Sequence, residues 1–381
     1  MVEREIYLDA NATEPLRPQA RAALLDTLDL GVANPASVHA AGRRARAMLE
    51  AARARVAARF GLALGRGGGQ VVFTSGGTEA DTLALSARRT GMAPPARIIL
   101  GATEHPALRA AAPRAELCPV GRDGRADPEV LERMLSAGPP GTALVALMVA
   151  NNETGVLHPL DALSAVARAH GALLHLDAVQ AAGRLPLDHV FGRWGAASLA
   201  LSSHKLGAPA GAGALLLGPG VDIVPMQPGG GQEGGLRGGT QPLASILAMD
   251  AALAACDPDR AAALGVLRDR IEQAARAAGA VICGAGAPRL SNTTCIALPG
   301  RPAQTQLIAL DMAGFRVSAG AACSSGKLGP SPVLAAMGLG ALASEAIRVS
   351  LPWTVTEAEV AAFIDAWQAM AARRPAPVRA A

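Results

Sequence analysis

Two polar strand ends frame the chemistry open to this chain. The run Leu199-Ala200-Leu201 stops at Ser202, His204 and Lys205, and the run Leu173-Leu174-His175-Leu176 stops at Asp177 and Gln180. Short apolar runs of this kind are typical of buried parallel strands, and open α/β sheets place ligands beyond the carboxyl ends of such strands. Asp177 and Lys205 are therefore expected to share one crevice. An amine beside a carboxylate suits pyridoxal phosphate, whose lysine Schiff base needs an acid on the pyridinium nitrogen. Of 35 basic residues only Lys205 and Lys327 are lysines, and arginine stays protonated and cannot form that bond. The plain alternative is a surface lysine after a core strand.

Further residues can be placed around such a pair. Ser75-Gly76-Gly77-Thr78 lies between the strand Val71–Thr74 and an apolar helical pattern through Leu83 and Leu85. Its N–H groups and the Thr78 hydroxyl point where helix N-termini bind phosphate. It has neither the lysine of a nucleotide P-loop nor the spacing of a dinucleotide fingerprint, so one phosphate is the better fit. His105 follows a strand and has a flat ring able to stack on a pyridine and handle protons, or it is a satisfied structural histidine. Ser202 and His204 flank Lys205 and can add phosphate contacts.

Cys118, Cys283 and Cys295 fall in or beside strand-like runs and Cys256 closes a helix, where cysteine serves as a small core residue. Cys323, among the small residues of Gly320–Gly326, has no such packing role and reads either as a nucleophile or as an inert loop cysteine. Arg348 lies in a strand-like run. Buried there it needs an anion, which is either a substrate carboxylate held bidentately or a structural ion-pair partner.

The elements that must position these groups alternate. Strand and helix patterns succeed one another to about Leu217 and predict an α/β fold with a mainly parallel sheet covered by helices on both faces. A Gly-rich loop from Gly229 to Thr240 and a helix from Pro242 to Cys256 follow. From about Asp257 the pattern changes to that of a smaller α+β domain. The expected division is an N-terminal segment, 1–15, packing with the small domain, a large domain over 16–256, and a small one over 257–381.

Composition bounds the class. Half of the 381 residues are apolar and 17% are charged, as in an ordinary folded enzyme. The net charge is +4 and the arginines are spread along the chain, which argues against a nucleic-acid partner. The longest apolar run, Ala143–Ala150, is too short to span a bilayer, and the charged N-terminus precedes no apolar signal core, so a cytoplasmic protein is expected. Five cysteines without a Cys-x-x-Cys pair fit neither a disulfide scaffold nor a structural zinc site. No two histidines stand in H-x-x-x-H spacing, which disfavours a metal hydrolase.

Assembled, these motifs resemble the cysteine desulfurases of the pyridoxal-phosphate-dependent class V aminotransferase family, of fold type I. The resemblance runs nearly end to end, through Tyr7–Thr13, Asn34-Pro35 with His39, Phe73–Asp81, Glu104–Ala107, Asn151–Gly155, His175–Gln180, Ser202–Lys205, Gly229–Glu233, Arg237–Thr240 and Ala322-Cys323. It implies that Lys205 carries the coenzyme, Asp177 pairs its ring nitrogen, Gln180 and Asn152 contact the ring, and His105 stacks on it. Gly77, Thr78, Ser202 and His204 would hold the phosphate, with Thr240 reaching in from the other subunit of a homodimer. Arg348, with Asn152 beside it, would take the carboxylate of L-cysteine. Cys323 would take the sulfur and pass it to an acceptor protein such as an iron–sulfur scaffold or a tRNA-thiolation protein. The chain departs from the family pattern at Ala10, Glu14, Thr82, Ala210 and Gly238, and none of these removes a reacting group. The other readings are a selenocysteine lyase or small-amino-acid aminotransferase of the same fold, and a non-catalytic homologue acting as an interaction protein.

Overall fold

The computed structural model describes residues 5–31, 34–320 and 329–373. Its largest sheet has seven strands, in the order β2 (Gln70–Thr74), β9 (Gly213–Leu217), β8 (Ser198–Ser202), β7 (Leu173–Asp177), β6 (Ala143–Met148), β4 (Arg97–Gly101) and β5 (Glu116–Cys118). The pairs β4–β5, β4–β6, β6–β7 and β7–β8 are parallel, and β9 runs antiparallel to both of its neighbours. Every residue of β6, β7 and β8 is buried. This accounts for their continuous rather than alternating apolar pattern, since helices cover both faces. Register aligns the polar strand ends: Asp177 is opposite Met148 on one side and Ala200 on the other, so Asp177 and Ser202 emerge at the same edge.

A second core is built from later residues. Strands β11 (Val281–Ile282), β12 (Thr293–Ala297), β15 (Ala346–Ser350) and β14 (Ser318–Ala319) form an antiparallel sheet in that order. The helices Pro258–Ala277 and Glu357–Ala372 bury Leu264, Ile271, Phe363 and Trp367 in this core. Asp257 caps the first, accepting the Asp259 N–H, and Thr356 with Glu359 forms a capping box at the second. The N-terminal strand β1 (Ile6–Tyr7) pairs in parallel with β13 (Phe315–Arg316), while β3 (Arg88–Arg89) and β10 (Val221–Asp222) make a short separate ladder. The Asn11 N–H then donates to Ser350 Oγ, so the N-terminal segment runs from the second core toward the edge of the first sheet.

The Gly-rich loop is tied down by one strained acid. Glu233 has φ +49°, is buried, and accepts bonds from Arg53 Nη1 (2.6 Å), Arg53 Nη2 (3.0 Å), Gln241 Nε2 (3.0 Å) and the Phe73 N–H (2.8 Å). Gly238, where the family pattern has serine, lies backbone to backbone on Gly229: a Cβ at Gly238 would be 2.7 Å from the Gly229 Cα. Glycine is what this close approach requires. Glu233→Ala leaves the buried Phe73 N–H without its acceptor and Arg53 with only Glu50 and the Val71 carbonyl. A loss of roughly 3 kcal/mol is expected, read from the midpoint of urea unfolding; a midpoint unchanged from the native protein would refute this account of the loop.

Candidate active site

The strand ends open into a cavity of ≈ 500 Å³ lined by, among others, Gly77, Thr78, His105, Asn152, Asp177 and Lys205. Gln180, Ser202, His204 and Arg348 line it too. The groups singled out in the sequence thus converge on one concave space of the size small-molecule sites have. Two do not lie there. Thr240 is exposed and is not among the lining residues, and Cys323 falls outside the described residues.

Each polar group has a physical setting. Lys205 closes the short turn after β8, and its Nζ donates to the carbonyls of Asn11 (2.6 Å) and Ala12 (2.8 Å). Burial, with the charges of Arg348 and Arg184, lowers its pKa from the usual lysine value to about 8. Asp177 Oδ1 accepts the Val179 N–H at 2.8 Å. Burial first, then the neighbouring Asp81, pushes its carboxyl up to about 7. A cation placed against Asp177 reverses that shift, because an opposite charge favours the ionised form.

His105 accepts the Ala107 N–H at Nδ1 (3.2 Å), which places the proton of the neutral ring on Nε2. Burial and the Lys205 charge lower its pKa. His204 is lowered to about 4 by burial and then by Lys205, and its Nδ1 lies 3.1 Å from Thr13 Oγ1. Both histidines are therefore neutral at pH 7. Gln180 Nε2 donates to the Asn11 carbonyl (2.9 Å) and its Oε1 accepts from Arg184 (2.5 Å), so the amide orientation is set from both ends. Thr78 stands at the start of the helix Gly77–Ala84 and lines the cavity together with Gly77, Ser202 and His204.

Arg348 shows the structural ion pair, one of its two sequence readings. Its Nη2 is paired with Asp9 Oδ1 at 2.6 Å and its Nη1 donates to the Asn152 carbonyl at 3.2 Å. Its Nε is buried without a partner among the described residues. The guanidinium is held by a structural ion pair, and the residue lines the cavity.

Three positions were not assigned roles from sequence alone. Asn11 is the hub between the two cores: its carbonyl holds Lys205 and Gln180 while its side chain donates to the Asn152 carbonyl (3.0 Å) and Thr293 (2.9 Å). Arg184 orients Gln180 and pairs with Glu14 at 3.0 Å, which gives a partner to one of the departures from the family pattern. Asp81 lies 3.2 Å from His175 Nε2, and His175 Nδ1 lies 2.8 Å from Ser198 Oγ. This links the helix of Thr78 to the strands of Asp177 and Lys205. Asp81 and Asn11 stand inside motifs quoted above, and membership of those motifs was the one available signal; nothing in spacing marks Arg184.

The chain is similar to known proteins along nearly its whole length. The family model for class-V aminotransferases matches residues 6–363. A cysteine desulfurase of Cereibacter sphaeroides is 39% identical over 373 residues, 94% of each chain. The solved structure of a NifS-like protein from Rickettsia africae overlays with a TM-score of 0.88 at 31% identity, covering 96% of this chain and 99% of that one. SspA in complex with cysteine overlays with a TM-score of 0.76 at 25% identity, covering 91% of this chain and 98% of that one.

Proposed function

We propose, from the premise that this chain belongs to the class-V aminotransferase family, that it is a pyridoxal 5'-phosphate-dependent cysteine desulfurase. It converts L-cysteine to L-alanine and places the sulfur on Cys323 as a persulfide. The observation that carries the reading is the pairing of a lysine whose pKa is lowered to about 8 with a buried aspartate across one cavity that Arg348 also lines.

The residues fit the coenzyme by the chemistry of the donor set. Asp177 is a buried acid with no ion-pair partner among the described residues, Lys205 brings an amine, and Thr78, Ser202 and His204 with the Gly77 backbone supply neutral donors where a phosphate would meet a helix N-terminus. Bound there, pyridoxal phosphate supplies an electron sink for the carbanion formed when the substrate loses its Cα proton. His105, Gln180 and Asn152 would hold its ring. Thr240 completes the phosphate site from a second copy of the chain in a homodimer.

The substrate steps are assigned as follows. Arg348 takes the carboxylate of L-cysteine, its guanidinium held by Asp9 and the Asn152 carbonyl. Lys205 Nζ removes the Cα proton. The Cys323 thiolate then bonds to the substrate sulfur, and the carbon–sulfur bond breaks with its electron pair left on carbon. That carbon takes up a proton to become the methyl group of alanine. Sulfur is oxidised to the sulfane level as carbon is reduced, so no external oxidant is needed. The persulfide passes to a protein acceptor such as an iron–sulfur scaffold, and the enzyme works in the cytoplasm. No helix among the described residues is long and apolar enough to cross a membrane.

Purified protein reconstituted with pyridoxal phosphate should yield alanine and sulfide in equal amounts from L-cysteine and a thiol reductant. Alanine without sulfide, or neither, refutes the reading; turnover confined to selenocysteine would favour a lyase of the same fold.

A further inference from the structure

A second cavity, of ≈ 440 Å³, shares no lining residue with the active site. Met148 and Ala150 line the active-site cavity, while Val149 between them lines this one. Alternate residues of an extended segment face opposite sides, so the end of β6 separates the two spaces. The walls of the second cavity are largely apolar and include Leu157, Leu160, Leu187 and Trp194.

Two of its four titratable groups are already engaged. Asp161 accepts from Arg193 at 2.7 Å and from the Trp194 indole at 2.8 Å. His189 packs edge-on against Trp194, ring centres 4.6 Å apart, and its Nδ1 lies 3.5 Å from Asp188. Arg125 and His158 are not matched in this way. The Arg125 side chain makes no hydrogen bond or ion pair among the described residues, and its Nε is buried. His158 is 6% exposed, and its Nδ1 accepts the Ala126 N–H at 3.1 Å. The neutral ring therefore carries its proton on Nε2, and that donor too is buried with no acceptor among the described residues. Burial and then the Arg125 charge, against the effect of Asp123, lower the pKa of His158 to about 4, so the ring is neutral at pH 7.

Buried donors left unpaired are costly. The helix Leu160–Ala169 also begins at this cavity without a side-chain cap, which adds the partial positive charge of a helix N-terminus. With Asp161 already paired, these groups favour an anion. The leucines and the indole favour an apolar, aromatic body. A fully hydrated anion such as phosphate would gain nothing from those walls.

We infer that this cavity binds a small aromatic monocarboxylate, with the carboxylate on Arg125 and the ring against Leu160, Leu187 and Trp194. The site is independent of the desulfurase reading, because no residue is common to both cavities.

The test is calorimetric titration of the coenzyme-loaded protein with three compounds: phenylacetate, 2-phenylethanol, which keeps the ring without the charge, and acetate, which keeps the charge without the ring. Phenylacetate should bind roughly tenfold or more tightly than either. Arg125→Ala should weaken it by roughly ten- to hundredfold, the range for loss of a charge-assisted hydrogen bond. Ala162→Trp, at an exposed position lining the cavity, should block it without touching the arginine. Arg348→Ala should bind phenylacetate as the native protein does. Affinity lost in Arg348→Ala and kept in Arg125→Ala would place the carboxylate in the active-site cavity and overturn the inference. Equal affinity for the acid and the alcohol, or no saturable binding of phenylacetate to the native protein, would overturn it as well.

Discussion

Lys205→Ala is expected to purify without the visible coenzyme band and to lose cysteine desulfuration by roughly 10³-fold or more, the scale of removing a positioned proton carrier. Two roles disappear together: the one amine among the described residues that lines the cavity and can join the coenzyme, and the base at the substrate Cα. Alanine also frees the Asn11 and Ala12 carbonyls that Lys205 Nζ now satisfies, so coenzyme content should be measured alongside fold by circular dichroism. Lys327, the other lysine of the chain, supplies the control: Lys327→Ala should keep band and turnover. A Lys205→Ala protein that keeps both would end the assignment. The lowered pKa also has a direction that can be read. Only the neutral amine attacks an aldehyde, and its fraction rises as pH passes upward through about 8. Uptake of pyridoxal phosphate by the coenzyme-free native protein should therefore accelerate from neutral pH to about pH 8 and flatten above it.

Cys323→Ser should divide the reaction at a different point. The band, the coenzyme content and its response to cysteine should match the native protein, since Lys205, Asp177 and the phosphate donors are untouched. Sulfide release should fall to background. A serine hydroxyl remains protonated at neutral pH and is a poor nucleophile toward sulfur, whereas a thiolate attacks it readily. The four other cysteines are buried or half-buried. Burial raises the pKa of Cys118 and Cys256, and Cys295 is raised well above the usual thiol value by its neighbour Cys283 and by burial. None of these three offers a replacement thiolate. Sulfide produced by Cys323→Ser at a substantial fraction of the native rate would show that the sulfur takes another route.

The departures from the family pattern become intelligible where the structure gives them partners. Glu14, in place of a neutral residue, pairs with Arg184, whose other contact orients Gln180. Gly238 fits against Gly229 with no room for a side chain. These two changes are accommodated by local contacts, which a motif read position by position does not reveal.

Much of the architecture was legible from residue order. Continuous apolar runs ending in Asp177 and Ser202 identify buried parallel strands, and parallel strands bring their carboxyl ends to one edge wherever the intervening helices pack. The meeting of Asp177 with Lys205, and the placement of Thr78 at a helix start, follow from that rule alone. What the sequence could not determine were contacts whose partners lie far apart in the chain and are brought together only by the docking of two cores. The Asn11 carbonyl on Lys205, the Asp9 carboxylate on Arg348, and Gly320 with Ser331 on Glu153 are of this kind. Local pattern reports which face of an element is apolar, but these polar contacts depend on how the second core sits against the first, and only tertiary packing decides that.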